Sequence, residues 1–496
     1  MGGLAASWCA SFAHAEVSAQ RFLLLEPLDH LRATLLAIAA PPLAELRFLT
    51  ELAAVARGSA QTHRALGLLE QANRATQGAP RADVLRLHWE RARCLWELRQ
   101  QHEALFIARA VTAEASGRGQ HGRVKELPLS NSERSWVARA LSTTGLWLSV
   151  ARLEGPDVIR ERYLEPAVTF APSDPQSRRQ LADFLDARLT EEVAGRISVE
   201  HEMARNLHMR TQADLKEAQR EAMLMERLPV RSREKELELR ALREQVNKLA
   251  KQCDDDEAKF AAEKARVRTL AKSCVREFGQ CLTEGRGGGL TKIACRFLSL
   301  WFDYSAECPE ITEVVKAAIP KLAPTPLTPF VYQLASRLDI YDKSDPAQLG
   351  FQQTLDELLV RIVPRSAHGL WPLLQLRNGD QVPKGMRSAS LHVADTRKIN
   401  ASTRVLLRLA ADSKVKPVLE AVEVLSKFYL SLALFEIDKK NREAPQKLAS
   451  IEGYQTIRRM LQSSVQVPMP TAPLPVEGLP PPPCIRSIGE TFSVAA

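Results

Sequence analysis

The sequence lacks the long alternating runs of Val, Ile and Thr from which half-buried β-strands are built. Glycine is also scarce, and the 29 prolines outnumber the 23 glycines and gather between periodic segments. No run approaches the ~18 apolar residues that a membrane-spanning helix requires. Ala, Leu, Arg and Glu dominate instead, and 45% of the 496 residues are hydrophobic. The composition therefore favours an all-α protein with large buried cores and no membrane span.

Cysteine pairs with metal-ligand spacing are also missing. None of the eight cysteines belongs to a C-x-x-C pair, and no group of histidines accompanies them. This pattern argues against a zinc site, and a chain of this size does not need a disulfide framework. Free thiols in a reducing compartment, the cytoplasm or the nucleus, are the expectation.

An excess of charge of one sign is absent as well. The net charge of +9 is small for the length, so the sequence predicts no direct nucleic-acid site. The motif G-x-G-x-x-G occurs at Gly117, Gly119 and Gly122. A segment with a helical pattern precedes it, whereas a dinucleotide-binding loop needs a strand there. Gly285–Gly289 lacks the Lys-Ser/Thr of a phosphate loop. We therefore assign no catalytic, cofactor-binding or metal-binding residue.

The most strongly patterned stretch runs from Lys292 to Leu338. Apolar residues lie at helical spacing on two faces, one made by Ile293, Phe297, Leu300 and Trp301 and the other by Phe330, Leu334 and Leu338. Several prolines lie between the two faces, where their missing N–H groups and fixed φ angles separate two helices. The pattern predicts a helical hairpin joined by a proline-broken connector, with Trp301 buried.

Five segments follow from the composition along the chain. Residues 1–165 read as amphipathic helix pairs with short turns and aromatic knobs such as Trp89 and Trp96, in the style of irregular tetratricopeptide-like repeats. Residues 166–290 contain long charged helices, and residues 291–465 contain further helical repeats. Residues 466–484 form a Pro-rich linker. Residues 485–496 have the first strand-like residue pattern in the chain. Taken together, the segments predict an α-solenoid with a short β-like tail.

The charged segment predicts a long projecting hairpin. Leu239, Leu242, Val246 and Leu249 follow coiled-coil spacing for about two heptads. We expect the acidic run 254–257 to reverse the chain into the second helix, which makes an intrachain hairpin and leaves a dimer contact as the alternative. His201 and His208 share one helix face without an evident carboxylate partner, and we expect them to be solvated.

A series of short landmarks runs through the chain from Gly155 to Ala496. They are Tyr163-Leu164 with Ala167-Val168, Glu236-Leu237-Glu238-Leu239 with Ala241-Leu242, Leu298-Ser299-Leu300-Trp301, Tyr332-Gln333-Leu334-Ala335, Leu349-Gly350-Phe351, and Lys447-Leu448 with Val465-x-Val467-Pro468. Their order and spacing resemble the FAT domain of ATM-type kinases, the phosphatidylinositol 3-kinase-related protein kinases of DNA-damage signalling. The final Ile485-x-Ser487 with Phe492 is similar to the first strand of the kinase N-lobe in that family.

The resemblance implies a role and a set of partners. FAT domains of this family are helical clamps that wrap the kinase domain, relay regulation to it and help to form dimers. The kinases phosphorylate Ser or Thr, mostly before Gln, with ATP and a divalent cation. The implied partners are the protein's own kinase domain, a second copy in a homodimer, and proteins of the DNA-damage response and DNA repair. The implied location is the nucleus, and otherwise the cytoplasm.

The chain itself carries no kinase active site. Phosphoryl transfer needs a Lys on the nucleotide, a base Asp, and a metal-binding Asn and Asp. No D-F-G or H-R-D string occurs in the sequence. By resemblance, the chain ends just inside the kinase domain, before those residues. We therefore expect a regulatory FAT region truncated at the start of the N-lobe. The alternatives are a free-standing tetratricopeptide-like adaptor and a coiled-coil assembly protein built on 199–275.

Overall fold

The structure is a computed structural model. It describes residues 19–39, 42–117, 130–172, 174–196, 199–227, 232–285, 289–378, 395–433, 435, 446–462, 465–469, 484–485, 489 and 491–492. The two glycine-rich motifs therefore lie largely outside the described residues. By contact density the chain divides into two units, Met1–Phe184 and Leu185–Ala496. The five segment boundaries drawn from the sequence stay predictions.

Helices dominate the described residues, which confirms the all-α prediction. In chain order they are α1 (Ala19–Ala39), α2 (Pro42–Gly58), α3 (Thr62–Arg74), α4 (Arg81–Glu97), α5 (Gln101–Ala115), α6 (Asn131–Val150), α7 (Pro156–Ile159), a π-helical turn (Arg160–Leu164), α8 (Glu165–Phe170), α9 (Pro175–Arg196), α10 (Val199–Arg227), α11 (Arg233–Glu284), α12 (Leu290–Tyr304), α13 (Pro309–Ala318), α14 (Val331–Ser336), α15 (Pro346–Ile362), α16 (Leu370–Asn378), α17 (Thr396–Ala410), α18 (Lys416–Ala433) and α19 (Tyr454–Leu461). The strands are β1 (Gln446–Lys447), β2 (Val467–Pro468), β3 (Cys484–Ile485) and β4 (Thr491–Phe492). Among the described helices, none is long and apolar enough to cross a membrane.

The first unit is built from consecutive helix pairs. The α2–α3 pair buries a Leu, Phe and Ala core in which Ala56, Ala65 and Ala72 are fully enclosed, and these small residues let the two helices approach closely. Arg57 on α2 reaches Glu90 at 3.3 Å and Glu97 at 2.6 Å on α4. Ion pairs thus hold the first helix of one pair beside the first helix of the next.

Three tryptophans continue this stacking. Trp89 and Trp96 lie two turns apart on α4, and the Trp147 ring of α6 lies 5.5 Å and 4.5 Å from theirs. Both ring pairs are stacked; Trp89 and Trp147 are buried, and Trp96 is half-buried. Aromatic pairs of this kind add about 0.5–1.5 kcal/mol beyond the area that they bury. The predicted aromatic knobs therefore join successive helix pairs.

The second unit begins with the predicted long hairpin, but the reversal is elsewhere. Helix α11 runs without interruption through the acidic run 254–257, so the expected turn there is wrong. Asp256 instead pairs with Lys259 one helical turn away at 3.3 Å, and no Gly or Pro is present to break the helix. Arg243 of α11 binds Glu226 of α10 at 2.7 Å, because the chain reverses between those two helices.

The two histidines of this hairpin also differ from expectation. His201 lies 3.5 Å from Glu263, and His208 lies 3.9 Å from both Asp256 and Glu257. Both imidazole rings meet the edge of the Phe260 ring, at 5.5 Å and 5.7 Å between centroids. The partners come from the facing helix, and helical spacing along α10 alone could not reveal them.

Trp301 is fully buried, as predicted, but its neighbours were only partly foreseen. Its indole N–H donates to Thr312 at 3.1 Å, and its ring lies 4.8 Å from that of Phe351. Thr312 belongs to α13, a helix inside the proline-broken connector. Pro309 occupies the first turn of α13, where a missing N–H costs nothing. The second arm of the predicted hairpin is a 3-10 turn, Thr325–Phe330, followed by the short α14.

A buried carboxylate organises the helices that follow. Asp356 of α15 is completely enclosed and accepts hydrogen bonds from Arg404 of α17 at 2.6 and 3.1 Å and from the Tyr341 hydroxyl at 2.7 Å. The Arg404 guanidinium also lies over the Tyr341 ring at 3.8 Å. Every polar group of this cluster that faces the interior thus has a partner, as a buried charge requires.

Replacing Trp301 tests the packing of the second unit. We expect Trp301→Ala to lower the free energy of unfolding by about 3–5 kcal/mol, because it removes a fully buried indole and leaves a cavity. Urea unfolding followed by far-UV circular dichroism measures the change. Leu407→Ala, at a position that is 68% exposed on α17, is the control and should stay within about 0.5 kcal/mol of wild type. Equal midpoints for Trp301→Ala and wild type would contradict the packing.

The Tyr341 cluster predicts a pH dependence. Burial, reinforced by the Asp356 hydrogen bond, raises the pKa of Tyr341 from 10.0 to about 12. The phenol therefore loses its proton first in the unfolded chain, so its stabilising contribution is complete below about pH 10 and lost as pH rises towards 12. Removing the hydroxyl in Tyr341→Phe should cost about 0.5–1.5 kcal/mol at neutral pH. The stability gap between wild type and variant should narrow over that window, and a constant gap would refute the assignment.

Candidate functional site

The C-terminal tail is joined to the helices by two small antiparallel ladders, and we call this junction the tail dock. In the first ladder, Val467 and Pro468 of β2 lie opposite Ile485 and Cys484 of β3. In the second, Gln446 and Lys447 of β1 lie opposite Phe492 and Thr491 of β4. The strand-like character predicted for the tail is thus confirmed at the described positions. Residues 470–483, most of the predicted Pro-rich linker, lie outside the described residues.

Trp371 fastens the first ladder to the helices. This residue of α16 is buried, and its indole N–H donates to the carbonyl oxygen of Pro468 at 3.1 Å. Proline has no N–H to donate to a neighbouring strand, and a ladder of two strands leaves it at an edge, where it is tolerated. The Tyr429 ring of α18 lies 6.4 Å from that of Trp371. An interior helix therefore holds β2 by a buried hydrogen bond.

Tyr454 fastens the second part of the tail. The hydroxyl of this buried residue donates to the carbonyl oxygen of Gly489 at 3.1 Å. Gly453 precedes it with φ at +91°, in the left-handed region that favours glycine. Leu448, Ile451 and Ile457 are buried beside it and form a small apolar base. The turn at Gly453 thus aims Tyr454 at the tail.

The tail dock consists of structural contacts. Its contacts are backbone ladders, two hydrogen bonds from aromatic side chains to carbonyls, and apolar packing. Burial raises the pKa of Tyr429, so this phenol stays protonated at neutral pH. Across the parts of the chain that the structure describes, no three His, Cys, Asp or Glu side chains come together as metal ligands. The arrangement can fix the position of the tail relative to α16 and α19.

Sequence landmarks fall on this dock, although their pairing could not be read from the sequence. Lys447 and Val467 lie on β1 and β2, and Ile485 and Phe492 lie on β3 and β4. Trp371 lies on α16, and its partner Pro468 is 97 positions away in the sequence. A short sequence motif carries no information about such a distant contact.

The fold and the tail dock define a class: an all-α, solenoid-like protein of helix pairs that holds a short β tail against its C-terminal helices. No family model matches the sequence. The chain is, however, homologous to ATM kinases. It is 27% identical over 463 residues to the serine-protein kinase ATM of Sus scrofa, with 87% of this chain covered, and 25% identical over 348 residues to the serine/threonine-protein kinase ATM of Arabidopsis thaliana, with 67% covered.

Solved structures share the fold over nearly the whole chain. A structure described as the FAT and kinase domain of CtTel1 matches with a TM-score of 0.65 and 19% identity, covering 92% of this chain and 29% of that one. The open conformation of CtTel1 matches with a TM-score of 0.66 and 20% identity, covering 92% of this chain and 16% of that one. The likeness is consistent with an ATM-type FAT region, as the landmarks predicted. The chain spans only 14% and 8% of the two curated relatives.

Trp371→Phe tests the tail dock. The variant keeps an aromatic ring but leaves the buried Pro468 carbonyl without its donor, a loss of about 1–3 kcal/mol. Hydrogen exchange followed by mass spectrometry should therefore become about tenfold or more faster in peptides that cover β2 and β3. Trp96→Phe, which alters the Trp stack of the first unit, is the matched control and should leave those peptides unchanged. Identical exchange in Trp371→Phe and wild type would show that the dock does not hold the tail.

Proposed function

We propose that the chain is the regulatory scaffold of an ATM-type Ser/Thr protein kinase, a FAT region that clamps a kinase domain and regulates it. The homology to ATM kinases supports this function, and so does the likeness to a structure that contains a FAT and a kinase domain. The observation that carries it is the tail dock, because the tail resembles the first strand of a kinase N-lobe. A scaffold that regulates a kinase needs a structural connection to it.

The tail dock supplies that connection in physical terms. Trp371 and Tyr454 lie on different helices and hold the tail at Pro468 and Gly489. A shift of α16 or α19 therefore moves the tail or breaks a hydrogen bond. If the strand continues into an N-lobe, helix movements would reach the ATP-binding lobe through this route. The chain contributes position in this scheme, and the kinase domain contributes the Lys, Asp and Asn of phosphoryl transfer.

The wider role follows the same resemblance. We assign the protein to the DNA-damage response and DNA repair in the nucleus, with damage-response proteins as substrates and partners. ATP and a divalent cation would serve the kinase domain and not this chain. A homodimer is part of the proposal, supported by the C2-symmetric dimer of CtTel1, whose fold this chain shares with a TM-score of 0.66. The tetratricopeptide-like style of the N-terminal helix pairs suits a scaffold that binds proteins.

Reading the transcript onward from the codon for Ala496 tests the proposed function. We expect an in-frame kinase domain with a nucleotide-binding Lys and metal-binding Asp and Asn residues. In that longer protein, Trp371→Phe should lower phosphorylation of a Ser-Gln peptide by about tenfold, the rate equivalent of 1.4 kcal/mol. Leu407→Ser, at an exposed position on α17, is the control and should retain full activity.

Two outcomes would contradict the proposal. A stop codon with no kinase domain downstream would favour the free-standing helical-repeat adaptor instead. Equal phosphorylation rates for wild type and Trp371→Phe would show that the tail dock does not regulate catalysis.

A further inference from the structure

Helix α18 lies at the centre of the tail dock. It contacts α16, which carries Trp371, and α19, which carries Tyr454, and it also contacts strand β2. We call Trp371 and Tyr454 the two anchors, because their side chains donate to the carbonyl oxygens of Pro468 and Gly489. The anchors lie on different helices and hold different parts of the dock. They nevertheless share one supporting helix.

Phe428 of α18 supports the Tyr454 anchor. This side chain is buried, and it packs against the turn that leads into α19. A Cβ atom at Gly453 would lie 3.9 Å from Phe428 Cδ2 and 4.0 Å from Phe428 Cβ, which is ordinary van der Waals contact. Gly453 directly precedes Tyr454, so a displacement of Phe428 would also displace the anchor.

Tyr429, the next residue of α18, supports the Trp371 anchor. Its ring lies 6.4 Å from that of Trp371, at an interplanar angle of 44°. An ion pair of 2.9 Å joins the same two helices at a second level, between Arg377 of α16 and Glu423 of α18. Trp371 precedes Arg377, whereas Tyr429 follows Glu423, so the helices pack antiparallel. Two contacts along their length thus fix α18 against α16.

Adjacent residues of one helix therefore reach both anchors. Phe428 and Tyr429 point about 100° apart around the helix axis, and their ring centroids are 6.4 Å apart. Backbone hydrogen bonds make a helical turn move as a unit, so the two side chains shift together. Because protein interiors are closely packed, a gap left beside Phe428 favours a movement of α18 that closes it. The same movement changes the contact between Tyr429 and Trp371.

We propose that α18 couples the two anchors, so that loss of either anchor's hydrogen bond loosens both ladders of the tail dock. Phe428 and Tyr429 are the positioning residues of this coupling. The coupling is a property of the 496-residue chain. Its consequence for catalysis rests on the proposed scaffold function. A kinase lobe that follows the tail would be held or released as a whole, and not one ladder at a time.

Hydrogen exchange of the 496-residue chain, followed by mass spectrometry, tests the coupling. Tyr454→Phe keeps the aromatic ring but removes the hydroxyl that binds Gly489. We expect faster exchange in peptides that cover β1 and β4. Peptides that cover β2 and β3 should also exchange about threefold or more faster, because residues of one contact network respond together. Trp371→Phe should, in the reverse direction, accelerate the peptides of β1 and β4.

Two further variants test the route through α18. Phe428→Leu keeps an apolar side chain but removes the ring beside Gly453, and Tyr429→Leu removes the ring beside Trp371. In either background, adding Tyr454→Phe should leave the β2 and β3 peptides at the rate of the background variant alone. Circular dichroism and melting temperature verify that each variant remains folded.

Tyr163→Phe makes the same chemical change in the first unit and is the matched control, with unchanged exchange expected in both ladders. Peptides of α12 report general loosening and should exchange at the wild-type rate in Tyr454→Phe. Three results would overturn the proposal: acceleration confined to β1 and β4, equal acceleration in α12, or full transmission to β2 and β3 in both Leu backgrounds. None of them bears on the transcript beyond Ala496, which tests the scaffold function separately.

Discussion

Burial of Trp301 is the interaction on which the second unit depends. An indole is the largest apolar side chain, and enclosing it completely is favourable only if its N–H also finds an acceptor. Thr312 supplies that acceptor from α13, and Phe351 supplies the ring contact from α15. One side chain of α12 thus joins three helices, the last of which follows a proline-rich connection. Arg337 covers the neighbouring Phe302 ring at 4.0 Å and shields the edge of this cluster.

Polar contacts then decide how the remaining helices are arranged. Apolar burial is not directional, and it would tolerate several ways of placing α15 against α17. The buried Asp356 accepts the Arg404 guanidinium in one orientation, and any sliding of the helices would leave a buried charge unpaired. The surface ion pairs of the long hairpin are worth much less. A few buried polar groups therefore fix the geometry, while apolar residues supply most of the free energy.

The sequence predicts what depends on neighbouring residues and fails where distant segments meet. Helical faces such as that of Trp301 follow from a period that any helix imposes, so the all-α fold and the buried tryptophan were predictable. The turn predicted at the acidic run 254–257 was wrong because an exposed helix tolerates like charges, and Lys259 lies one turn away. The carboxylate partners of His201, and the acceptor of Trp371, come from other elements, and their identity depends on how those elements pack.

The tail shows how a local structure that is unstable by itself becomes ordered when it packs against helices. A ladder of two residues per strand has no stability of its own in water. Its order therefore comes from the helices, through the carbonyl oxygens that Trp371 and Tyr454 hold. Such coupling is reciprocal: whatever displaces the tail must weaken these helix contacts, and whatever shifts the helices must release the tail. If a catalytic lobe follows this tail, movements of the helical unit would reach it through two hydrogen bonds and two short ladders. Such a connection is weak enough to be broken and re-formed.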